Sequence, residues 1–404
     1  MIPKAGLAQV VALRDVDDVR ALLDEMRVSA GGTSIMKRKA LFRVVRVKGL
    51  DVRAANILKQ EMLSRGGEVA TSREVYEMGA TEAECLIMGT LAQYERLLPK
   101  LRTQPFGLRD IADSIAAVLA HHDAHAPLFH PGLDLSRRPR IMGILNVTPD
   151  SFSDPGDHFD TDVAIEAAWR MVDEGADIID VGGESTRPGS SRVPAEVEMQ
   201  RVLPVIKALS RALPAPISVD TCRAEVAAAA LEAGAFMVND VSALRMDPEM
   251  VAVVRDAGCP VVLMHMLGEP KTMQEDPWYS NVVEDVYAFF VERLTRAVDD
   301  GVPEENLLID PGIGFGKTLA HNLALVRHVD SFRSLGRPVV LGASRKRFLG
   351  DLLGLPEAKD RVNGTIATSV IGAMHDIDVL RVHDVRENVE AVRLTRAVFP
   401  AREN

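Results

Sequence analysis

Apolar positions recur in two different rhythms along this 404-residue chain, and the change comes near residue 138. Before it, helical spacing and strand-like alternation are mixed. Val16, Val19, Leu22, Leu23 and Met26 draw one apolar stripe along Asp15–Ser29, the mark of an amphipathic helix. Leu41–Val47 reads as a strand with Arg43 and Lys48 charging one side, and Asp51–Arg65 as a helix stopped by Gly66-Gly67. Glu68–Thr71 and Glu84–Gly89 read as short strands, Leu91–Leu101 and Ile111–His122 as helices. The pattern predicts a small α/β N-terminal domain over 1–122.

From Arg140 the pattern becomes regular. Short apolar runs stand at Ile141–Val147, Asp177–Val181, Ile217–Val219, Phe236–Val238, Pro260–Met264, Leu307–Ile309, Pro338–Leu341 and Val379–Val382. Between them lie stretches with helical spacing, among them Asp162–Glu174, Glu196–Leu213, Ala224–Ala233, Val282–Asp299 and His321–Leu335. Eight strand–helix alternations in about 260 residues match a (β/α)8 TIM barrel over 138–400, with a doubly wound open sheet as the other arrangement. Residues 123–137, with Pro131-Gly132, read as a linker.

Composition narrows the classes. Apolar residues make up 47% and charged residues 26%, the net charge is −11 and the pI about 5.5, which argues against a general nucleic-acid or membrane-surface binder. An anionic substrate stays compatible, because a local site can be basic inside an acidic chain. Cys85, Cys222 and Cys259 form no C-x-x-C pair. The N-terminus has no apolar signal core, and no stretch reaches the ~18–20 apolar residues of a membrane span, so the expectation is a reducing, cytoplasmic setting. The basic run Lys37–Lys48 fits a solvated strand face better than a nucleic-acid patch. His121, His122, His125 and His130 suggest either a metal site or a polar linker, and the following Pro-Gly favours the linker.

Each barrel run ends in polar chemistry: Asn146, then Asp180-Val-Gly-Gly-Glu184, Asp220, Asn239-Asp240, His265, Asp310, Ser344-Arg345-Lys346 and Arg381-Val-His383-Asp384. In a barrel these ends converge on the face where barrel enzymes keep their sites. Helix capping accounts for one or two such residues but not for all eight. Asp220, Asn239, Asp310 and Lys346 alternate acceptors and donors, which suits a flat nitrogen heterocycle. Asn146, Arg381 and His383 suit a phosphate or diphosphate. Pro311-Gly-Ile-Gly-Phe-Gly316-Lys-Thr318 approaches a P-loop but has Pro311 where that motif needs glycine, so it reads as a flexible barrel loop. His265 is open between a ligand or base and a packing residue, with packing favoured.

The motifs together resemble the dihydropteroate synthases. Ile141-Met-Gly-Ile-Leu-Asn-Val-Thr-Pro-Asp-Ser-Phe-Ser-Asp154 is similar to that family's first signature, and Asp180-Val-Gly-Gly-Glu-Ser-Thr-Arg-Pro-Gly189 to its second. Ser218-Val-Asp-Thr221, Asn239-Asp240, Met264-His-Met266, Pro270-Lys-Thr-Met-Gln274, Asp310 to Lys317, Ser344-Arg-Lys346 and Arg381-Val-His-Asp384 follow in family order. The resemblance implies that 4-aminobenzoate is joined to 6-hydroxymethyl-7,8-dihydropterin diphosphate, giving dihydropteroate and diphosphate for folate synthesis, in an enzyme class targeted by sulfonamides. It implies that Thr186, Asp220, Asn239, Asp310 and Lys346 hold the pterin, and Arg381 and His383 its diphosphate. It places Asn146 at the diphosphate and a bridging Mg2+. Phe152, Pro188 and Phe315 would wall the aminobenzoate pocket, with Ser185 and Arg187 in the second loop and Arg347 facing the aminobenzoate carboxylate. It also implies a homodimer. Two other readings share part of the pattern: a methyltetrahydrofolate-dependent corrinoid methyltransferase domain, and a catalytically silent pterin-binding paralogue. No motif in the first 122 residues names a reaction.

Overall fold

A computed structural model describes residues 9–76, 81–123, 135, 139–148, 161–184, 193–268 and 272–400. The chain divides into two compact units, Met1–Ala124 with Arg402–Asn404, and His125–Ala401.

The first unit is a three-stranded antiparallel sheet with helices. Its strands are β1 (Phe42–Asp51), β2 (Glu68–Thr71) and β3 (Glu82–Thr90), in the order β1-β3-β2. Its helices are α1 (Val16–Glu25), α2 (Ala30–Met36), α3 (Val52–Leu63), α4 (Arg73–Tyr76), α5 (Leu91–Leu101) and α6 (Leu108–Asp123). Val52, Ala55, Leu58 and Met62 bury one face of α3, as their helical spacing requires. Thr90 opens α5 with a capping box to Gln93, and Tyr94 of α5 donates its hydroxyl to the Ile87 carbonyl at 2.7 Å, tying helix to sheet. One expectation is corrected here. Arg43 and Lys48 do not share a face, because positions five apart on a strand point to opposite sides. Arg43 turns inward with Val45 and Val47 and pairs with Asp123 at 2.8 Å, whereas Lys48 is exposed.

The second unit is the barrel. Its parallel strands are β4 (Arg140–Asn146), β5 (Ile178–Gly182), β6 (Ile217–Asp220), β7 (Met237–Asp240), β8 (Val261–Met264), β9 (Leu307–Asp310), β10 (Val340–Leu341) and β11 (Val379–Val382). They pair in the order β10-β11-β4-β5-β6-β7-β8-β9, and a parallel bridge between Ile309 and Val339 closes the ring. The open-sheet alternative is thereby excluded. Its main helices are α7 (Thr161–Asp173), α8 (Ala195–Leu209), α9 (Ala224–Glu232), α10 (Met250–Ala257), α11 (Val282–Asp299), α12 (Leu319–Arg327), α13 (Arg347–Leu353), α14 (Val362–Met374) and α15 (Val385–Val398). The single helix expected over His321–Leu335 is two elements. α12 ends where His328 leaves helical geometry, and Val329–Leu335 continues as a tighter 3-10 turn.

Apolar residues fill both sides of the barrel wall, so its strands read as unbroken apolar runs. Outward residues pack against the helices in one large core. Inward residues Met142, Ile178, Met237, Val262, Leu308, Val340 and Val379 form a separate floor, joined by Leu135 from just before the first barrel strand. The floor closes the N-terminal end of the barrel, which leaves the other end for polar side chains. No helix among the described residues is long and apolar enough to cross a membrane.

Candidate active site

Strand register brings the polar ends together. Asn146 lies beside Gly182, Gly182 beside Asp220, and Asp220 beside Asn239, all on one rung above the floor. Glycine at 182 leaves space on that rung. A side-chain carbon there would stand 3.5 Å from the Asp220 Cβ and 3.7 Å from Asn146 Oδ1. Gly342, just past β10, leaves a second gap, 3.3 Å from Asp310 Oδ2, 3.8 Å from Lys346 Nζ and 3.9 Å from the Arg381 Cβ. Asn146, Asp220, Asn239, Asp310, Lys346 and Arg381 therefore gather at the C-terminal mouth of the barrel.

Arg381 ties the mouth across the barrel. Its Nε donates to Asp180 Oδ2 at 2.6 Å and an Nη2 hydrogen to Asp220 Oδ2 at 2.7 Å. Asn239 Nδ2 donates to the same Asp180 oxygen at 3.0 Å. Arg381 is expected among the phosphate residues and Asp220 among the heterocycle residues. In the structure one guanidinium spans both. Asp180, expected only as a strand end, is the fully buried carboxylate beneath them.

On the other side of the mouth, Asp310 Oδ1 accepts from the Gly312 amide at 2.7 Å. Lys346 donates to the Ile313 carbonyl and stands 4.6 Å over the Phe315 ring, a cation–π contact. Ser344 Oγ meets the His383 Nδ1 at 3.0 Å and accepts from its backbone amide at 3.1 Å, and Arg345 pairs with Asp384. The loops after β10 and β11 are thus coupled, which holds His383 at the rim.

Burial sets the titration of the site. It pushes Asp220 up, to about 7; Arg381 offsets this in part, while Asp180, Glu198 and Asp240 add to it. Burial also raises Asp310, against Lys346 and the Gly312 amide. It lowers Lys346 to about 8, opposed by Asp310. Burial works against the charge of Arg381 as well, but Asp180 and Asp220 outweigh it and hold the guanidinium protonated.

The loop after β9 departs from expectation. Rather than a flexible segment, Pro311 to Lys317 is almost wholly buried. Gly312 has φ +66°, and a side-chain carbon there would fall 1.9 Å from the His265 carbonyl oxygen, so only glycine fits. Lys317 Nζ, also buried, meets His265 Nδ1 at 2.9 Å and donates to the carbonyls of Phe315 at 2.9 Å and His265 at 3.4 Å. Burial, then Lys317 and Arg245, lower His265 to about 2, so the imidazole is neutral. His265 packs edge-on against Phe289 at 4.7 Å.

Of the remaining predicted residues, Phe315 is buried among Val241, Met264, Met266 and Met273 at the same mouth. Arg347 stands apart from the mouth residues. It starts α13, its side chain is 82% exposed, and it faces Asp351 at 3.6 Å rather than any mouth residue. Asp240 turns into its own loop, accepting from the Ser242 and Leu244 amides, each at 2.7 Å, so only Asn239 of that pair faces the mouth. Phe152, Ser185, Thr186, Arg187 and Pro188 lie outside the described residues, as do His125 and His130 and the second half of the first signature. Among the described residues no group of three or more His, Cys, Asp or Glu side chains could hold a metal. The Asn146 side chain has no hydrogen bond to a described residue, and its Oδ1 stands 3.7 Å, and Asp220 Oδ2 3.8 Å, from where a side-chain carbon at position 182 would lie. A neutral amide oxygen of that kind suits Mg2+ whose other ligands are substrate phosphate and water.

Residues 142–383 match the profile of the pterin binding enzyme family. The dihydropteroate synthase of Escherichia coli K12 is 46% identical over 272 residues, covering 67% of this chain and 95% of that protein. A probable bifunctional folylpolyglutamate synthase/dihydropteroate synthase of Haloferax volcanii is 41% identical over 397 residues, 95% of this chain. The chain spans about half the length of that relative, 46%. A solved Xanthomonas albilineans dihydropteroate synthase with 4-aminobenzoic acid superposes with a TM-score of 0.63 at 47% identity, over 67% of this chain and 96% of its own.

Proposed function

The chain belongs to the pterin-binding enzyme family, among the dihydropteroate synthases, and from that membership we propose how its residues carry out the condensation. The reaction joins 6-hydroxymethyl-7,8-dihydropterin diphosphate to 4-aminobenzoate, releasing diphosphate and forming 7,8-dihydropteroate. The carrying observation is the ring of Asp220, Asn239, Asp310, Lys346 and Arg381 around the gaps left by Gly182 and Gly342.

The aminopyrimidine edge of the pterin offers N–H donors to Asp220 and Asp310, Asn239 serves as donor and acceptor, and Lys346 donates to a ring acceptor. Thr186 completes this group by family resemblance. The bond that breaks joins the pterin CH2 to a diphosphate oxygen, and its electron pair leaves with the oxygen. The electron-rich ring delocalises the positive charge left on carbon, and the carboxylates of Asp220 and Asp310 favour it. Arg381 and His383 bind the departing anion. The arylamine lone pair then forms the C–N bond, and the nitrogen's proton passes to water or to the released diphosphate. The amine is neutral at pH 7, so no side chain need act as base. Phe315 lies beside the Lys346 ammonium, where it walls the aminobenzoate position; Phe152, Ser185, Arg187 and Pro188 are assigned to the same pocket by resemblance. Arg347 is assigned to the aminobenzoate carboxylate by the same resemblance.

Mg2+ is proposed at Asn146, where it would neutralise charge on the leaving diphosphate. Exposed Leu352 and Leu353 on α13, Met374 on α14, and Leu394 and Val398 on α15 support a homodimer, which light scattering after gel filtration tests. Sulfonamides are expected to compete with 4-aminobenzoate. The decisive assay is diphosphate release from the pterin substrate that depends on 4-aminobenzoate. Release without the arylamine, or none with it, overturns the reading.

A further inference from the structure

Asp180 has no role in the chemistry above, yet it is the most deeply placed charge in the mouth. Its side chain is fully buried, and Oδ2 receives both Arg381 and Asn239. Among the described residues Oδ1 has no hydrogen-bond partner, and neither has the Oγ of Ser218, the residue beside Asp180 in register on β6. Gly182 stands two positions on, on the same face of β5, and its missing side chain leaves room beside Asp220 and Asn146 on the rung above Asp180.

We infer that Asp180 is the fixed anchor of Arg381, and that Asp220 is the partner Arg381 gives up when the pterin binds. The inference rests on the functional reading above. Three observations distinguish the two carboxylates. Asp220 sits on the outer rung with Asn146 and Asn239, where an entering heterocycle meets it first, while Asp180 lies one rung deeper. Asp220, once parted from Arg381, regains donors from the aminopyrimidine edge. Asp180, once parted, keeps only the Asn239 amide for a fully buried carboxylate, an uncompensated charge that proteins avoid. Finally, the guanidinium meets Asp180 through Nε and Asp220 through Nη2, and Nη1 has no partner among the described residues. Swinging off Asp220 frees Nη2 beside Nη1, the pair of nitrogens that can grip a diphosphate, while Nε stays on Asp180. Pterin binding thereby arms the leaving-group contact. Asp180 acts through Arg381 and is a positioning residue.

The test is a crystal structure of the full chain with 6-hydroxymethyl-7,8-dihydropterin diphosphate and no arylamine, together with a double-mutant cycle. We expect Arg381 Nε to stay within about 3.2 Å of Asp180 while its separation from Asp220 opens beyond about 4 Å. Arg381 leaving Asp180 and keeping Asp220 overturns the inference. In the cycle, Asp180→Asn should lower kcat about a hundredfold in the wild-type background but no more than about threefold beside Arg381→Ala. Asp220→Asn should act mainly on the KM for the pterin in both backgrounds. Equal cost of Asp180→Asn with and without Arg381 overturns the anchoring role. If Asp180→Asn does not fold, the liganded wild-type structure decides alone. A wild-type chain with no arylamine-dependent diphosphate release sinks the functional reading itself. An active wild type whose Arg381 has parted from Asp180 sinks only the anchor.

Discussion

Asp180 and Arg381 are 201 residues apart in the chain, and their side chains meet at 2.6 Å in the barrel mouth. Asp180 is the middle residue of β5 and Arg381 the third of the four in β11, and β4 lies between those strands in the sheet. The contact therefore depends on barrel closure. It links the element that begins the second signature to the element that ends the last.

Arg381→Ala should cost kcat/KM at least about a hundredfold, several kcal/mol, the scale of a lost charge-assisted contact to the leaving group. It should also destabilise the fold by roughly 3–5 kcal/mol, because Asp180 is left buried without its cation. Steady-state kinetics and urea unfolding measure the two effects separately. Near-normal turnover would remove Arg381 from the leaving-group role.

Lys346 gives a pH prediction. Its pKa, lowered to about 8 by burial, means that the ammonium is present below that pH and lost above it. Affinity for the pterin diphosphate should fall as pH rises through about 8, and Lys346→Met should show weak affinity with that step absent. Stability moves the other way. The folded state holds fewer protons than the unfolded chain between about 8 and the ordinary lysine value, so the Lys346 contribution to stability rises with pH across that window. Calorimetry of binding from pH 6.5 to 9.5 tests the first claim, and an affinity that does not change over that range counts against the role of Lys346.

Much of this was legible in the sequence, for a definite reason. Barrel strands are short, buried on both faces and followed by amphipathic helices, so the alternation shows in one dimension. The polar residue closing each run shows there too, and Asn146, Asp220, Asn239, Asp310, Lys346 and Arg381 do line one mouth. What was not legible depended on contacts across the ring. Asp180 reads as any aspartate closing an apolar run, and only its contacts with Arg381 and Asn239 across the ring set it apart. Arg347 follows Lys346 directly, but α13 begins there and carries its side chain to solvent. Lys317 looked like part of a failed P-loop. Three glycines with positive φ, Gly312, Gly314 and Gly316, fold its loop back onto His265. A lone Lys with a Gly-rich approach, too short for a P-loop, was the one signal that could have marked it.

Lys317→Met should destabilise the fold by about 2–3 kcal/mol, because it strips the donor from the buried carbonyls of Phe315 and His265. The same loop sets Phe315 beneath Lys346, so the KM for the pterin should rise as well. Thermal melting and kinetics of the purified variant check both. A loss of stability with an unchanged KM would separate the loop from substrate binding.

Arg223 tests how the second signature is held. Its guanidinium pairs with Glu184 at 2.9 Å, donates to the Val193 carbonyl at 2.6 Å and meets the buried carboxylate of Glu198. Glu184 and Val193 flank residues 185–192, so one cation fixes the separation of that segment's two ends. Arg223→Ala should raise the KM for 4-aminobenzoate about tenfold or more while moving the KM for the pterin diphosphate by less than about threefold. It also removes the cation from Glu198, whose carboxyl burial already pushes up. A folded-state pKa above the unfolded value gives stability that is present at low pH and lost as pH rises. The variant should therefore be closest to wild type in melting temperature near pH 5 and fall furthest behind near pH 8. A deficit that is the same at both pH values would mean that Glu198 is not the group left uncompensated.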